Sequence, residues 1–484
     1  MALNELTAVS PVDGRYREKV KELEDFFSEF ALIRNRIKIE IEYLIFLSKY
    51  GVIKKLDAEQ EKILRDIYLK FTLSDAKEVK EIEEKTRHDV KAMEYFIRRR
   101  IAETSVADLA SKIHIGLTSD DVNNIAYALS VKHFLEQFLI KELELLRDKL
   151  MALAQDNKRV VMLARTHGQP AVPTTFGKEF LVFASRLDRQ ISQLKKMKIL
   201  AKINGAVGNY NAHVAAFSNI DWIKFSEEFI CSLGLEANLI TTQIEPYDSL
   251  AEVFHNLIRV NNIILNLDRD MWTYISMDYL KQKPRKGEIS SSTMPQKVNP
   301  IDFENSEGNL GVSNALLDHL SNKLPVSRLQ RDLSDTTVRR NIGVAFAHAI
   351  IAYRNTLEGL NRIEVDEKTI KEDLKSHPEV VSEGIQTILR REGVEQAYEK
   401  LMDLTRGKKL TRNDIETFIK GLDVNQKVKN ELLQLSEENY IGLAEKLCDL
   451  FITNEKGIKK EPLASEIVEI NDRYLQKEFF KYTG

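Results

Sequence analysis

Residues 119–153 read SDDVNNIAYALSVKHFLEQFLIKELELLRDKLMAL. The stretch predicts one helix of roughly 55 Å. Thr118 or Ser119 would cap this helix, and Asp120 and Asp121 lie favourably in its first turn. A helix of that length needs neighbours of similar length, so the stretch predicts a helix bundle. Its apolar side recurs mostly at three- and four-residue steps: Val122, Ile125, Leu129, Phe134, Phe138, Leu143, Leu146, Leu150 and Leu153.

The composition fits a mostly helical protein. The 484 residues include only 20 Gly and 10 Pro, few chain breakers for this length. A net charge of -3 is no footprint for general nucleic-acid binding. We expect a cytoplasmic protein without membrane or nucleic-acid partners, because no signal peptide or long apolar run is visible. Cys231 and Cys448 lack the spacing of a zinc site or a disulfide framework.

Further helical patterns cover most of the chain. A shift to shorter patterns from about Val365 predicts a separate C-terminal helical domain. The predicted helices span approximately residues 26–51, 58–71, 75–86, 174–203, 249–279 and 300–324, with a final long helix ending at about Ile363.

The central interruption is residues 287–300, GEISSSTMPQKVNP. Pro295 and Pro300 exclude a continuous helix, and the hydroxyl side chains compete for backbone hydrogen bonds. Such a loop, ending where a helix begins, can wrap an anion with hydroxyls, amides and the Lys297 ammonium. The alternative is a solvated linker.

Two interruptions carry a histidine. Arg87, His88 and Asp89 fit a turn or a helix start, and the alternative is a charged helix terminus with a structural histidine. In residues 165–170, RTHGQP, two prolines (at 170 and 173) keep the chain extended and Thr174 would cap the next helix. His167 is then displayed near a helix start, or it is a buried, hydrogen-bonded histidine.

An arginine-rich segment, residues 327–341, precedes the last long helix. Arg328, Arg331, Arg339 and Arg340 lie beside hydroxyl residues and are the best local candidate for a phosphate site. The alternative is that they pair with the acidic residues at 332 and 335. Histidines, a serine–lysine loop and arginines at helix ends together suggest acid–base chemistry on an anionic substrate.

Several of these segments resemble known enzymes. Residues 291–300 resemble the signature of the fumarase/aspartase superfamily. Residues 10–16, 87–90, 117–122 and 166–170 look specifically like the bacterial branch of the adenylosuccinate lyase family. The resemblance covers roughly residues 5–450.

The resemblance implies an all-α fold of three helical domains, with residues 1–113, 114–364 and 365–484 as the expected divisions. It implies a central bundle that assembles into a homotetramer whose active sites combine segments from three subunits. The implied reaction is β-elimination of fumarate from adenylosuccinate to give AMP, and from the succinyl-carboxamide ribotide of purine synthesis. It needs no metal or organic cofactor.

The resemblance also implies roles for individual residues. Ser291 would be the general base, removing a Cβ proton, and His167 the general acid that protonates the leaving nitrogen. Helix-start and loop groups would stabilise the intermediate carbanion. The implied substrate-binding residues are Arg15, Tyr16, Arg87, His88, Asp89, Thr118, Ser119, Gln243, Ser292, Lys297, Val298, Asn299, Asn305, Arg331, Thr336, Thr337, Val338, Arg339 and Arg340.

The central loop departs from the family pattern at two positions. Gln296 lies where bacterial relatives carry histidine, and Ser290 where they carry glycine. Argininosuccinate lyases share the Met-Pro-Gln-Lys run, which favours that alternative substrate. The arginine–threonine segment at 331–340 argues against it, because argininosuccinate has no phosphate. A bundle that has lost activity is a further alternative, and a turnover assay discriminates it.

Overall fold

The computed structural model describes residues 4–284, 287, 293–294, 296–405 and 410–455. Helices predominate in these ranges, which confirms the predicted all-α fold. The helices in chain order are α1 (Glu24–Phe27), α2 (Glu29–Lys49), α3 (Ala58–Leu69), α4 (Leu73–Thr86), α5 (Asp89–Ile101), α6 (Ser119–Phe134), α7 (Ile140–Asp156), α8 (Phe176–Leu194), α9 (Asn211–Ala216), α10 (Trp222–Ser232), α11 (Asp248–Ser276), α12 (Ile301–Lys323), α13 (Ser334–Arg339), α14 (Ile342–Arg362), α15 (Glu367–Lys375), α16 (Ser382–Arg391), α17 (Ala397–Thr405), α18 (Arg412–Gly421), α19 (Gln426–Gln434) and α20 (Ala444–Glu455).

Short strands complete the architecture in the described ranges. They form three two-stranded sheets, of which the first and third are antiparallel and the second is parallel. The pairs are β1 (Val161–Thr166) with β2 (Gln169–Thr175), β3 (Leu200–Ala201) with β4 (Glu236–Ala237), and β5 (Leu280–Gln282) with β6 (Ile363–Val365).

The described residues divide into two compact units, each built from three separate pieces of chain. The first takes its residues from Met1–Leu146, Arg186–Thr273 and Pro284–Arg362. The second takes them from Arg147–Ser185, Tyr274–Lys283 and Ile363–Gly484. The division into three domains at 113 and 364 stays a prediction. None of the described helices is both long and apolar enough to cross a membrane.

The long predicted helix is present. A π-helical segment, Leu135–Leu139, joins α6 to α7, so the helical backbone runs from Ser119 to Asp156. Thr118 is its N-cap, and the Asp121 carboxylate accepts a hydrogen bond from the Thr118 amide at 2.8 Å. The prediction of both the cap and the helix is confirmed.

The core of the first unit is formed by aromatic and aliphatic side chains. Phe134 on α6 stacks on Phe346 of α14 at a centroid distance of 4.9 Å. Helices α12 and α14 approach closely, since a Cβ at Gly359 would lie 2.7 Å from the Phe303 ring. Small residues at such a crossing let two helix backbones come together.

Asp268 is a buried carboxyl group in the first unit that forms no ion pair among the described residues. Asp268 on α11 accepts a hydrogen bond from Thr356 Oγ1 at 2.8 Å, and its Oδ2 has no hydrogen-bond partner among the described residues. Burial raises the pKa of Asp268 to about 8, against smaller opposing effects of hydroxyl hydrogen bonds. The folded chain therefore holds a proton that the unfolded chain releases at neutral pH.

We expect Asp268→Asn to stabilise the protein increasingly as the pH rises. The folded-state pKa of Asp268 lies above the unfolded value of ~3.9, so its ionisation lowers the free energy of unfolding progressively between pH ~4 and about 8. Asparagine stays neutral and still accepts from Thr356. The gain over wild type should be near zero at pH 4 and on the order of several kcal/mol above pH 8. Differential scanning calorimetry from pH 5 to 9 measures it, with Asp108→Asn as control, since Asp108 is exposed and pairs only at the surface with Lys54. Parallel curves for Asp268→Asn and wild type would contradict the prediction.

The segment around His167 is extended as predicted, but Thr174 does not cap the next helix as predicted. The prolines at 170 and 173 do keep it extended, but it is a β-hairpin in which Thr174 pairs with Met162. Thr174 is therefore not a helix cap, and α8 begins at Phe176. The predicted helix end near Ile203 was also wrong, because α8 ends at Leu194 and Leu200–Ala201 pairs with Glu236–Ala237.

The second unit has its own apolar core, formed mainly by helices α16 to α19. This agrees with the predicted shift to shorter helices after about Val365. Its buried members include Val381, Ile385, Leu389, Ala397, Leu401, Leu410, Ile415, Ile419, Leu422, Val428 and Leu432.

Candidate active site

The end of the central loop leads into α12. Pro300 precedes the helix, and the Lys297 amide donates to the Met294 carbonyl at 3.1 Å. Lys297 is exposed, and Val298 and Asn299 are half-buried. Ser291 and Ser292 lie outside the described residues, so their expected roles stay predictions. The amide end of α12 and the Lys297 ammonium give this region the positive character that an anion needs.

The start of α6 offers a second anion-binding surface. Thr118 and Ser119 are half-buried at the positive end of the helix, where backbone amides and hydroxyls can receive a carboxylate. This placement supports their expected contact with the substrate.

A buried ion pair lies beneath that helix start. Lys202 Nζ is 2.9 Å from Asp121 Oδ1, and both side chains are 0% exposed. The same ammonium donates to the Gly205 carbonyl at 3.0 Å, and Asp121 Oδ1 accepts from the Asn204 amide at 3.1 Å. The pair therefore ties the bend at residues 204–210 to the start of α6. Lys202 was not predicted from the sequence. Its only signal was its position as the one charged residue in an apolar run, residues 199–203.

The bend in turn contacts the loop that carries Gln243. Gly208 has a φ of +78°, and a Cβ there would lie 2.2 Å from the Thr241 carbonyl oxygen, so only glycine fits. Gln243 Nε2 donates to the Ala206 carbonyl at 3.1 Å, and Arg331 Nη1 donates to Gln243 Oε1 at 3.5 Å. The structure thus brings together two predicted substrate-binding residues, Gln243 and Arg331.

Arg339 is not available as a surface ligand. Its side chain is 1% exposed, and its guanidinium lies 3.1 Å from Asp120 and 2.9 Å from Asp335. It also donates to the Tyr247 hydroxyl. For Arg339 the alternative interpretation, pairing with nearby acids, describes the side chain in the structure, and its expected contact with substrate stays a prediction. Arg328 likewise pairs with Asp332, at 3.2 Å.

Arg340, at the end of the arginine-rich segment, remains accessible. Arg340 Nη1 lies 2.8 Å from Glu29 Oε2, and both side chains are more than a third exposed. A phosphate at Arg340 would therefore take the place of the Glu29 carboxylate. Three further predicted residues lie on α13. Thr336 and Val338 are half-buried, and Thr337 is exposed.

The segment at residues 87–89 forms the predicted turn between two helices. Arg87 ends α4 in the left-handed conformation, with φ +51°. His88 caps α5, and its Nδ1 accepts from the Lys91 amide at 3.1 Å, which leaves Nε2 to carry the proton of a neutral ring. Asp89 lies 2.8 Å from Arg36. Burial favours the neutral form of Asp89, but the Arg36 charge and the hydrogen bond from the Val90 amide together hold the pKa of Asp89 below its usual range.

The N-terminal turn and α12 supply the remaining candidates. The Tyr16 amide donates to the Pro11 carbonyl at 2.9 Å, so the predicted turn is present and leaves Arg15 exposed. Asn305 Oδ1 accepts from Asn355 Nδ2 at 2.6 Å, and Asn355 Oδ1 accepts from Lys19 Nζ at 2.8 Å.

His167 occupies the tip of the β1–β2 hairpin in the second unit. Thr166 pairs with Gln169, so His167 and Gly168 alone form the turn, with φ of +53° and +75°. Two positive φ values identify a type I′ turn, which matches the twist of paired strands. His167 is exposed, so the alternative of a buried histidine was wrong. Arg165 beside it donates to Asp373 Oδ2 at 2.7 Å.

Across the described ranges, no cluster of three or more His, Cys, Asp or Glu side chains could hold a metal ion. The chemistry that these groups offer is proton transfer and anion binding. An exposed imidazole is presented on a rigid turn, and helix-start amides, hydroxyls and guanidiniums are arranged in the first unit.

Comparison with known proteins identifies the family. A lyase family model matches residues 14–313, and a model of the adenylosuccinate lyase C-terminal region matches residues 327–441. An adenylosuccinate lyase of Dictyostelium discoideum is 50% identical over 91% of this chain and 97% of its own. That of Escherichia coli K12 is 48% identical over 93% of this chain and 99% of its own.

Solved structures show the same fold at low identity. A fumarate lyase from Mesorhizobium sp. has a TM-score of 0.72 at 18% identity, covering 90% of this chain and 97% of its own. A β-carboxy-cis,cis-muconate cycloisomerase from Acinetobacter calcoaceticus has a TM-score of 0.70 at 18% identity, covering 91% of this chain and 100% of its own. Because sequence identity of about one half extends along nearly the whole chain, the chain belongs to the adenylosuccinate lyase family.

Proposed function

We propose that the protein cleaves adenylosuccinate to fumarate and AMP, and cleaves the succinyl-carboxamide ribotide of purine synthesis in the same way. The observation that carries this proposal is identity of 50% and 48% to adenylosuccinate lyases across more than nine-tenths of the chain. The meeting of Arg331 with Gln243 supports it from the structure, because a nucleotide brings a phosphate that a guanidinium can bind.

The proposed chemistry is an elimination in two proton transfers. Ser291 removes a proton from the succinyl Cβ, and the resulting carbanion delocalises into the adjacent carboxylate. Lys297 and Asn299, with the hydroxyls of Thr118 and Ser119, would stabilise that charge. The C–N bond then breaks, and His167 protonates the departing nitrogen. Histidine suits this role because an imidazole can hold or release a proton near neutral pH.

The serine requires activation, because a free hydroxyl is a weak base. We propose that closure of the loop around the bound substrate excludes water, so that the Lys297 ammonium stabilises the alkoxide. His88 would orient the substrate through Nε2, since its Nδ1 already accepts from the Lys91 amide. Arg15, Tyr16, Arg87, Asn305, Thr336 and Arg340 are proposed as further substrate contacts.

We also propose that the chain acts as a cytoplasmic homotetramer whose active sites combine residues of several subunits. Light scattering on the purified protein tests the assembly state. The proposal includes no nucleic-acid or membrane partner.

The experiment that tests the activity mixes purified protein with adenylosuccinate and, separately, with argininosuccinate, and follows fumarate release by chromatography. We expect release from adenylosuccinate alone. Release from argininosuccinate alone would mean that Gln296 marks a different substrate. Release from neither would favour a bundle without activity, and Ser290 and Gln296 would be the first residues to exchange for the glycine and histidine of bacterial relatives.

A further inference from the structure

We propose that Asp120 is a positioning residue that links two substrate-binding regions of the first unit, the start of α6 and the arginine-rich segment. It follows Ser119 directly at the start of α6, where the succinyl group is proposed to bind. Its carboxylate also faces the arginine-rich segment, where the phosphate is proposed to bind. The inference rests on the proposed function and assigns Asp120 no contact with substrate.

The carboxylate of Asp120 is buried and shared between two guanidiniums. Asp120 is 0% exposed, and its Oδ1 lies 3.1 Å from Arg339 Nη1 and 3.8 Å from Arg331 Nη2. Its Oδ2 has no hydrogen-bond partner within the part of the chain that the structure describes. A buried carboxylate is costly unless it is paired, so these two arginines decide where the start of α6 can lie.

Asp120 accepts a hydrogen bond from Arg339 and attracts Arg331 from a longer distance. Arg339 already lies 2.9 Å from Asp335 on its own helix, which is sufficient to balance one charge. The cluster therefore holds two carboxylates and two guanidiniums, and Asp120 is the acid that lies near both arginines.

Arg331 keeps donors for an incoming anion. Its Nη2 is too far from Asp120 for a direct hydrogen bond, its Nη1 makes a long contact of 3.5 Å with Gln243, and its Nε has no hydrogen-bond partner among the described residues. Its side chain is 13% exposed. Asp120 thus attracts Arg331 without occupying it, and a phosphate oxygen can take the remaining donors.

The backbone nearby is held in an uncommon conformation. Tyr247, whose hydroxyl accepts from Arg339, has a φ of +61°. A non-glycine residue adopts this region only where the surrounding structure fixes it. Arg339 also lies over the rings of Tyr127 and Tyr247, at 5.1 and 5.3 Å from their centroids. The cluster around Asp120 is therefore rigid. A rigid cluster is required if Asp120 is to fix the distance between the start of α6 and Arg331.

This arrangement predicts that a bound substrate phosphate raises the rate of elimination, and that this effect depends on Asp120. In the wild type, a bound phosphate fixes Arg331, and Asp120 transmits that position to Thr118 and Ser119. Misplacement of reacting groups by about 1 Å costs on the order of 100-fold in rate. Without the carboxylate, the phosphate would still bind Arg331 but would no longer align the succinyl end.

The test compares kcat/KM for adenylosuccinate with kcat/KM for the same substrate lacking its 5′-phosphate. We expect Asp120→Asn to lower the ratio of these two values at least about tenfold. Loss of folded enzyme lowers both values equally and leaves their ratio unchanged, so a merely structural role would not move this readout. Glu142→Gln is the matched control, because it alters another ion pair of the first unit, 2.8 Å from Arg354, and should leave the ratio unchanged.

A ratio for Asp120→Asn within about twofold of wild type would overturn the inference. If Asp120→Asn does not fold, Tyr247→Phe removes a single hydroxyl from the cluster and should lower the ratio about threefold, and an unchanged ratio would then overturn it. Wild-type protein that releases no fumarate from adenylosuccinate would instead refute the proposed function. The two failures are therefore distinguishable.

Discussion

His167→Asn is expected to lower kcat for fumarate release by about 10²–10⁴-fold, the usual contribution of a general acid. The substitution removes the imidazole and little else. Asparagine tolerates the left-handed φ of +53° found at His167, and asparagine before Gly168 is a favoured pair in a type I′ turn. The hairpin should therefore keep its shape, so that the loss of rate reports on the lost proton donor.

Single-turnover kinetics would separate the chemical step from product release. The exposed His319→Asn is the matched control and should leave kcat within about twofold of wild type. A variant that retains more than about a tenth of wild-type kcat would mean that another group protonates the nitrogen.

Ser291→Ala is expected to abolish measurable turnover while leaving substrate binding nearly intact. Without the hydroxyl, no group at that position can remove the Cβ proton, and loss of a positioned base costs about 10²–10⁴-fold or more. Ser290→Ala deletes a hydroxyl one residue earlier and is expected to stay within about threefold of wild type. Calorimetric titration of the inactive variant with adenylosuccinate measures binding directly. Near-normal turnover in Ser291→Ala would show that the base was assigned to the wrong residue.

Mixing the two inactive variants tests whether the sites are shared. If His167 and Ser291 of one site come from different subunits, random reassembly restores both groups in about a quarter of the sites of a homotetramer. Mixed variants should then recover activity that neither has alone. If each subunit supplied both residues to one site, mixing would restore nothing.

The elements that local sequence patterns specify were predicted well. The helix from Ser119 follows from its apolar spacing and its cap, and the turn at His88 follows from polar residues that share no helix face. The hairpin at His167 was not predicted, because local patterns indicated only that the segment around Pro170 and Pro173 is extended and did not show that it pairs with Val161–Thr166. The pairing that runs from Val161 with Thr175 to Thr166 with Gln169 turns the two extended segments into a hairpin.

The site was predicted in outline, and its buried charges were not. The sequence contained four arginines between 328 and 340, with two acids among them. It could not show that Asp120, 219 residues from Arg339, would turn that arginine inward, or that Glu29, 311 residues from Arg340, would pair with it on the surface. Such partners are set by tertiary packing, which local patterns do not encode. The ion pair between Lys202 and Asp121 was missed for the same reason.

The division of each unit among three pieces of chain has a consequence for synthesis on the ribosome. The first unit ends at Arg362, so at ~5–20 residues per second it remains incomplete for about 20–70 s after translation begins. During that interval Phe134 lacks Phe346, the ring that covers it in the folded protein. A nascent chain paused before Ile342 would therefore expose apolar helix faces, and it should be a client of chaperones that shield such faces until α14 emerges.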